Sequence, residues 1–169
     1  MAKKHKEKGN RYERKIARLL SEWWTGKSDV LIFWRTHGSG TMGPRVTQEA
    51  GDMMAIHKEG ETFLKKFSVE CKNWSQCNLF DLFTRTKTSV FRTWWNKACK
   101  EAQGRIPLLI FKVGRYPDMI ALPVDIFPKL GLQPDITINM LNCGITLLNN
   151  FTTEEVKRRI KRLRWKSKS

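Results

Sequence analysis

The run Phe67-Ser68-Val69-Glu70-Cys71-Lys72 alternates apolar and polar residues, the pattern of a β-strand whose successive side chains point to opposite faces. Ser68, Glu70 and Lys72 then share one face, and Phe67, Val69 and Cys71 the other. A second carboxylate, Asp52, opens the preceding apolar run, where an antiparallel pairing would bring it close to Glu70. Two carboxylates beside one ammonium suit phosphodiester hydrolysis. Hard carboxylate oxygens bind Mg²⁺, the ion activates water and offsets charge on the phosphorane-like transition state, and the lysine orients the water or helps deprotonate it. An ordinary Glu/Lys pair on an exposed strand would give the same letters, so the surrounding elements decide the weight of the motif.

Those elements have a legible order. Residues 1–9 carry Lys3, Lys4, Lys6 and Lys8 and read as a basic, flexible arm. From Asn10, a plausible cap, Tyr12, Ile16, Leu19, Leu20 and Trp23 recur at helical spacing over residues 10–24. Residues 30–35 read as a strand feeding a Gly-rich loop, His37-Gly38-Ser39-Gly40-Thr41-Met42-Gly43-Pro44. Residues 51–57 and 64–74 read as two more strands joined by a turn at Glu59-Gly60-Glu61, which makes a three-stranded meander. A helical zone over residues 80–103, broken near Ser89, carries the stripe Phe91, Trp94, Trp95, Ala98 and Ala102 and stops at Gly104. Strands follow at 107–113 and 118–122, with Tyr116-Pro117 between them.

Past Pro123 the pattern suggests a short helix at 124–130 and a strand at 143–148. Thr152-Thr153-Glu154-Glu155 then matches a capping box. It opens a helix with Val156, Ile160 and Leu163 on one face and Lys157, Arg158, Arg159, Lys161, Arg162 and Arg164 on the others. The expected fold is α/β, a mixed central sheet flanked by helices, with an arm at 1–9, a core at 10–122 and an extension at 123–169. In the pairs Trp23-Trp24 and Trp94-Trp95, one ring of each is expected to pack and the other stays open to packing or stacking.

The chain of 169 residues carries 32 Lys plus Arg against 16 Asp plus Glu, a net +16, which favours a polyanionic partner and nucleic acid first. Lys3, Lys4, Lys6, Lys8, Arg35, His37, Arg158, Arg159 and Arg162 are the expected contacts. Converging carboxylates argue against a purely phosphate-binding module, which would gain by losing them. No apolar run approaches the ~18–20 residues that span a bilayer and the N-terminus has no apolar signal core, so the expectation is a cytoplasmic protein without a membrane partner. The four cysteines, Cys71, Cys77, Cys99 and Cys143, form no CxxC pair and read as reduced, structural thiols. His5, His37 and His57 have no partner histidine at metal spacing.

Gly51-Asp52 followed by Val69-Glu70-Cys71-Lys72 resembles the PD-(D/E)XK nuclease signature, with Gly51 standing where the signature has Pro. Within that superfamily the chain is most similar to archaeal-type Holliday junction resolvases, viral versions included. These begin with a basic segment and a helix bearing an early Glu, here Asn10-Arg11-Tyr12-Glu13-Arg14, and continue through an Arg and a Ser-Gly loop, here Arg35-Thr36-His37-Gly38-Ser39-Gly40. The similarity runs over about residues 9–113.

It implies a restriction-endonuclease-like core, with Asp52 and Glu70 as metal ligands joined by the Cys71 carbonyl. Lys72 would be the catalytic lysine, Glu13 a further acidic active-site residue and Ser39 an active-site loop residue. Mg²⁺ would be the cofactor, with Mn²⁺ substituting. The implied partner is DNA, preferably a four-way junction, cut symmetrically by a homodimer in recombination or repair. The residues themselves leave Glu13 open to compensating a helix dipole and Ser39 to filling a loop. A restriction or repair nuclease acting on duplex or flap DNA also fits, because residues 75–91 are long and aromatic for a resolvase and residues from 123 have no counterpart there.

Overall fold

In the computed structural model, which describes residues 2–36, 51–76 and 89–165, the apolar stripe of the first helix organises one whole layer. Helix α1 (Ala2–Thr25) buries Tyr12, Ile16, Ala17, Leu20, Trp23 and Trp24. It starts at Ala2 and not at Asn10, which corrects the expected arm: the Lys, Glu and Ala of residues 2–8 are good helix formers and simply extend the helix. Strands β1 (Phe33–Arg35) and β2 (Met53–Ala55) pair antiparallel as a separate ribbon. Buried Ser21 docks the ribbon on α1: its Oγ donates to Ala17 O and accepts from Ile32 N and Phe33 N at 3.1 and 3.0 Å.

Helix α2 (Lys58–Leu64) occupies the segment read as a turn. His57 caps it, its Nδ1 accepting from Glu59 N, and Phe63 and Leu64 bury beneath it. The meander is therefore absent. Strand β3 (Phe67–Trp74) leaves the ribbon and pairs parallel with β4 (Ile106–Val113), the crossover carrying α3 (Val90–Glu101) with Ser89 as its cap. Strands β5 (Met119–Pro123), β6 (Ile136–Ile138) and β7 (Cys143–Leu147) complete a mixed sheet in the order β3-β4-β5-β7-β6, antiparallel beyond β4.

Alternation divides the core between the two faces of the sheet. Val69 and Cys71 with Leu108, Ile110, Ile120 and Leu122 pack against α1 and α2, whereas Leu109, Phe111, Val113 and Ala121 pack against Phe91, Trp94, Trp95 and Ala98 of α3. The chain does not divide at residue 122. Strand β7 lies inside the sheet, and α4 (Ile126–Lys129), α5 (Leu148–Phe151) and α6 (Glu154–Arg162) send Phe127, Phe151, Val156 and Ile160 into the α1 core. Thr153 caps α6, accepting from Val156 N at 3.3 Å; Val156 holds the position where a capping box needs a carboxylate. All four rings of the two Trp pairs are buried. No helix among the described residues is long and apolar enough to cross a membrane.

Candidate active site

Strand β3 ends the sheet, and its open edge organises the site. Lys66 O and Trp74 O accept from Ile106 N and Gly114 N on the β4 side, so even-numbered residues turn their backbone groups to the sheet and odd-numbered ones to the edge. Asp52 meets that edge twice: its N–H donates to Val69 O at 2.8 Å and its Oδ2 accepts from Cys71 N at 2.8 Å. By the same alternation the Cys71 carbonyl points to the Asp52 edge. Proximity of Asp52 to Glu70 thus comes from docking on an edge strand, in place of the antiparallel pairing expected. Thr36 holds Asp52 from the other side, donating through N to Asp52 O and through Oγ1 to Gly51 O.

Gly51 explains its own departure from the signature. Its φ is +106°, and a Cβ there would stand 2.7 Å from Val69 O. Proline, held near φ −65°, has no access to this backbone, which lets the Asp52 segment lie directly on β3.

Glu70 projects from β3 toward α3 and is almost fully enclosed, its side chain 2% exposed. Its Oε1 accepts from both Lys72 Nζ and Lys97 Nζ, the latter at 2.5 Å. Lys72 Nζ also lies 3.9 Å from Asp52 Oδ2. Burial acts to raise the Glu70 pKa, but the two ammonium groups outweigh it and hold the carboxyl below the usual range. Asp52 behaves oppositely: burial, followed by the Glu70 charge, pushes it up to about 6, against the Cys71 N–H and Lys72. Burial also raises the Cys71 thiol, consistent with a structural thiol.

Glu13 lies some three turns into α1, not in its first turn, so dipole compensation does not account for it. It accepts from Arg35 Nε at 2.9 Å, while Arg35 Nη2 reaches Asn10 Oδ1 at 2.9 Å. Its charge also acts on Asp52. Arg35, expected on DNA, is thus engaged within the fold. Lys6 and Lys8 are exposed on α1. Arg158 and Arg159 both pair with Glu155, and their helix docks beside Trp23, where Lys157 Nζ donates to Trp23 O. That is ten residues along α1 from Glu13, about 15 Å of helix. Ser39, His37 and Cys77, and the side chains of Lys3 and Lys4, lie outside the described residues.

Lys97 was missed in the sequence. It stands next to Ala98 and three residues after Trp94, bordering the α3 stripe as Glu13 borders that of α1. The same reasoning applied to both helices would have found it.

The donor set suits a hard divalent cation. Glu70 Oε2 is buried with no hydrogen-bond partner among the described residues, and Asp52 is a half-buried carboxylate whose pKa is raised by desolvation and by the neighbouring Glu70 charge. Among the described residues no cluster of three His, Cys, Asp or Glu side chains forms a metal site. A small side-chain complement of this kind is what Mg²⁺ takes, since it keeps several waters and substrate oxygens.

The family model described as "phage putative PDDEXK endonuclease" matches residues 4–162. No curated protein and no solved structure matches the chain. With nearly the whole chain matched, and a mixed sheet flanked by helices carrying Asp52, Glu70 and Lys72 together, the chain belongs to this family of PD-(D/E)XK nucleases, and DNA is the substrate that membership implies.

Proposed function

We propose that the chain is a Mg²⁺-dependent endonuclease that hydrolyses DNA at the Asp52–Glu70 site, and that its preferred substrate is a four-way junction cut by a homodimer. The observation that carries the metal reading is the buried Glu70 Oε2 beside Asp52, an atom that has no hydrogen-bond partner among the described residues. Asp52, Glu70 and the Cys71 carbonyl would hold the ion, and a bound Mg²⁺ would supply charge stabilisation at the scissile phosphate and a lowered pKa for its water. Lys72, between the two carboxylates, orients that water and takes part in moving its proton. Lys97 ties Glu70 through Oε1 and so leaves Oε2 as the ligand atom. Glu13 works at one remove, through Arg35 and through its charge on Asp52.

Labelled DNA incubated with Asp52→Asn, Glu70→Gln and Lys72→Ala tests the assignment. Each variant should lose cutting while keeping its fold and most of its DNA affinity, which comes from Lys and Arg. Mn²⁺ should replace Mg²⁺, and Ca²⁺ should support binding with little turnover. Wild-type rates in the variants, or full activity in excess EDTA, would overturn it.

The junction reading rests on the similarity through Glu13, Ser39, Asp52, Glu70 and Lys72, and on Glu13 standing close enough to act on Asp52. A two-fold dimer holds two metal sites at one separation, so paired incision needs DNA with two backbones at that spacing. Binding to a junction and to a duplex of the same sequence at equal salt, with cut positions mapped on every strand, tests it. Symmetric paired cuts support it; equal treatment of both DNAs, or asymmetric cuts, favours a restriction or repair nuclease.

A further inference from the structure

Two of the three α6 cations expected on DNA, Arg158 and Arg159, pair with Glu155, whereas three of the four on the outward face of α1 pair with no described residue. Lys8, Arg11, Lys15 and Arg18 are exposed and recur at intervals of three and four residues, one continuous stripe. Lys15 binds Asp118 at 2.5 Å. Lys8, Arg11 and Arg18 form no salt bridge with any described residue. Like charges at this spacing oppose the helix by a few tenths of a kcal/mol per pair, a cost that salt screens and that a polyanion lying along them relieves.

The stripe does not stand on a flat surface. A cleft of about 490 Å³ lies between α1 and the last residues of β3 and β4, lined by Lys8, Arg11, Lys15, Asn73 and Lys112, with Glu7 as its acidic member. Lys112 also lacks a salt bridge among the described residues. Asn73 follows Lys72 directly on β3, about 10 Å along the strand from Glu70 and, by alternation, on the α1-facing side of the sheet. A second hollow of about 460 Å³ shares Arg11 and Lys15 and carries the charge on to Arg14 and Arg18. From Lys8 to Arg18 the helix advances about 15 Å, long enough to lie along several consecutive backbone phosphates.

We infer that the outward face of α1, with Asn73 and Lys112, is the track that holds the DNA backbone phosphates flanking the one that is cut. This rests on the nuclease site proposed above. The track sets where the backbone crosses β3; it touches phosphate, so it confers affinity and register without base preference.

Binding of full-length protein to a fluorescein-labelled duplex, by anisotropy in EDTA between 50 and 200 mM salt, tests the inference. The variant Lys8→Ala/Arg11→Ala/Arg18→Ala/Lys112→Ala should bind at least tenfold more weakly at 100 mM salt. Its slope of log K against log salt should fall by about 0.9 for each phosphate that is no longer neutralised, so by about 2 to 4 in total. Arg158→Ala/Arg159→Ala/Arg162→Ala should change the slope by less than 1. Arg11→Lys/Arg18→Lys, which keeps the charge, should retain the wild-type slope and shows that a loss is not a defect of the helix. An unchanged slope in the fourfold variant, or a larger loss from the α6 variant, overturns the track. Asp52→Asn separates the two readings: if it still cuts, the site assignment fails while the binding result stands, and if it binds without cutting while the fourfold variant binds normally, the track alone fails.

Discussion

Asp52 is placed by its backbone and partly withdrawn from water beside a second carboxylate. Two hydrogen bonds to β3 and one from Thr36 define its position, while burial and Glu70 push its pKa up to about 6. The unfolded value is ~3.9, so between roughly pH 4 and 6 the folded chain holds more protons than the unfolded one. Without metal, stability from this group is therefore present below about pH 4 and is lost as the pH rises through about 6. Asp52→Asn removes that cost and keeps an oxygen for the Cys71 N–H. In EDTA the variant should be more stable than wild type at pH 7.5, by no more than about 3 kcal/mol, and the gap should close near pH 4. Urea unfolding at the two pH values measures this. A pH-independent gap would mean that Asp52 is an ordinary solvated carboxylate. If the half-desolvated Asp52 carboxylate beside Glu70 is the proposed cation ligand, the variant that gains stability should also be the one that loses cutting.

At the scale of elements, α2 shows why part of the fold could not be read. Glu59-Gly60-Glu61 has the letters of a turn, yet His57 caps the segment and Phe63 and Leu64 bury from it, so tertiary contact overrides a poor local signal. Gly60 is there for space: a Cβ would come within 2.9 Å of Ile32 O and 3.0 Å of the Phe33 ring. Gly→Ala inside a helix normally adds about 1 kcal/mol of stability. Gly60→Ala should do the reverse and cost about 1–3 kcal/mol, because α2 must move off the β1–β2 ribbon. Thermal unfolding reads the sign, and a stabilised variant would show that the approach of α2 is loose. Elements with strong periods were legible: α1 from Tyr12 onward, β3, β4, β5, α3 and α6 all lie where their patterns put them. Strand β6, two exposed residues and one half-buried at a sheet edge, has too short a pattern to read. Within the candidate site, Glu70 and Lys72 share a face because β3 alternates cleanly, whereas Asp52 reaches them by docking on the β3 edge and not by the strand pairing expected, and Lys97 borders the α3 stripe as Glu13 borders that of α1.

For the whole molecule, the question is whether the nuclease core ends near residue 122, as the span of family-like motifs suggested. Packing argues that it does not. Strand β7 covers the edge that β5 would otherwise expose, and Phe127, Leu130, Leu148, Phe151, Val156 and Ile160 are buried in the core that also seats α1 and β3. At roughly 1.5–3 kcal/mol per fully buried side chain, these six contribute on the order of 10 kcal/mol, comparable with the 5–15 kcal/mol stability of a typical domain. A chain ending at residue 122 should therefore show no cooperative unfolding and no cutting. Failure to fold could also reflect a badly chosen end point, so a full-length variant carries the decisive half of the test. Ile160 is fully buried on α6, remote from Asp52, and Lys66 Nζ donates to its carbonyl at 2.5 Å. Ile160→Ala leaves a cavity and should cost about 2–5 kcal/mol in urea unfolding, with cutting and the salt slope of DNA binding near wild type well below the melting temperature. That combination makes α6 a structural brace on the catalytic core. A stable Ile160→Ala protein with weakened DNA binding would instead return α6 to the role its charge first suggested.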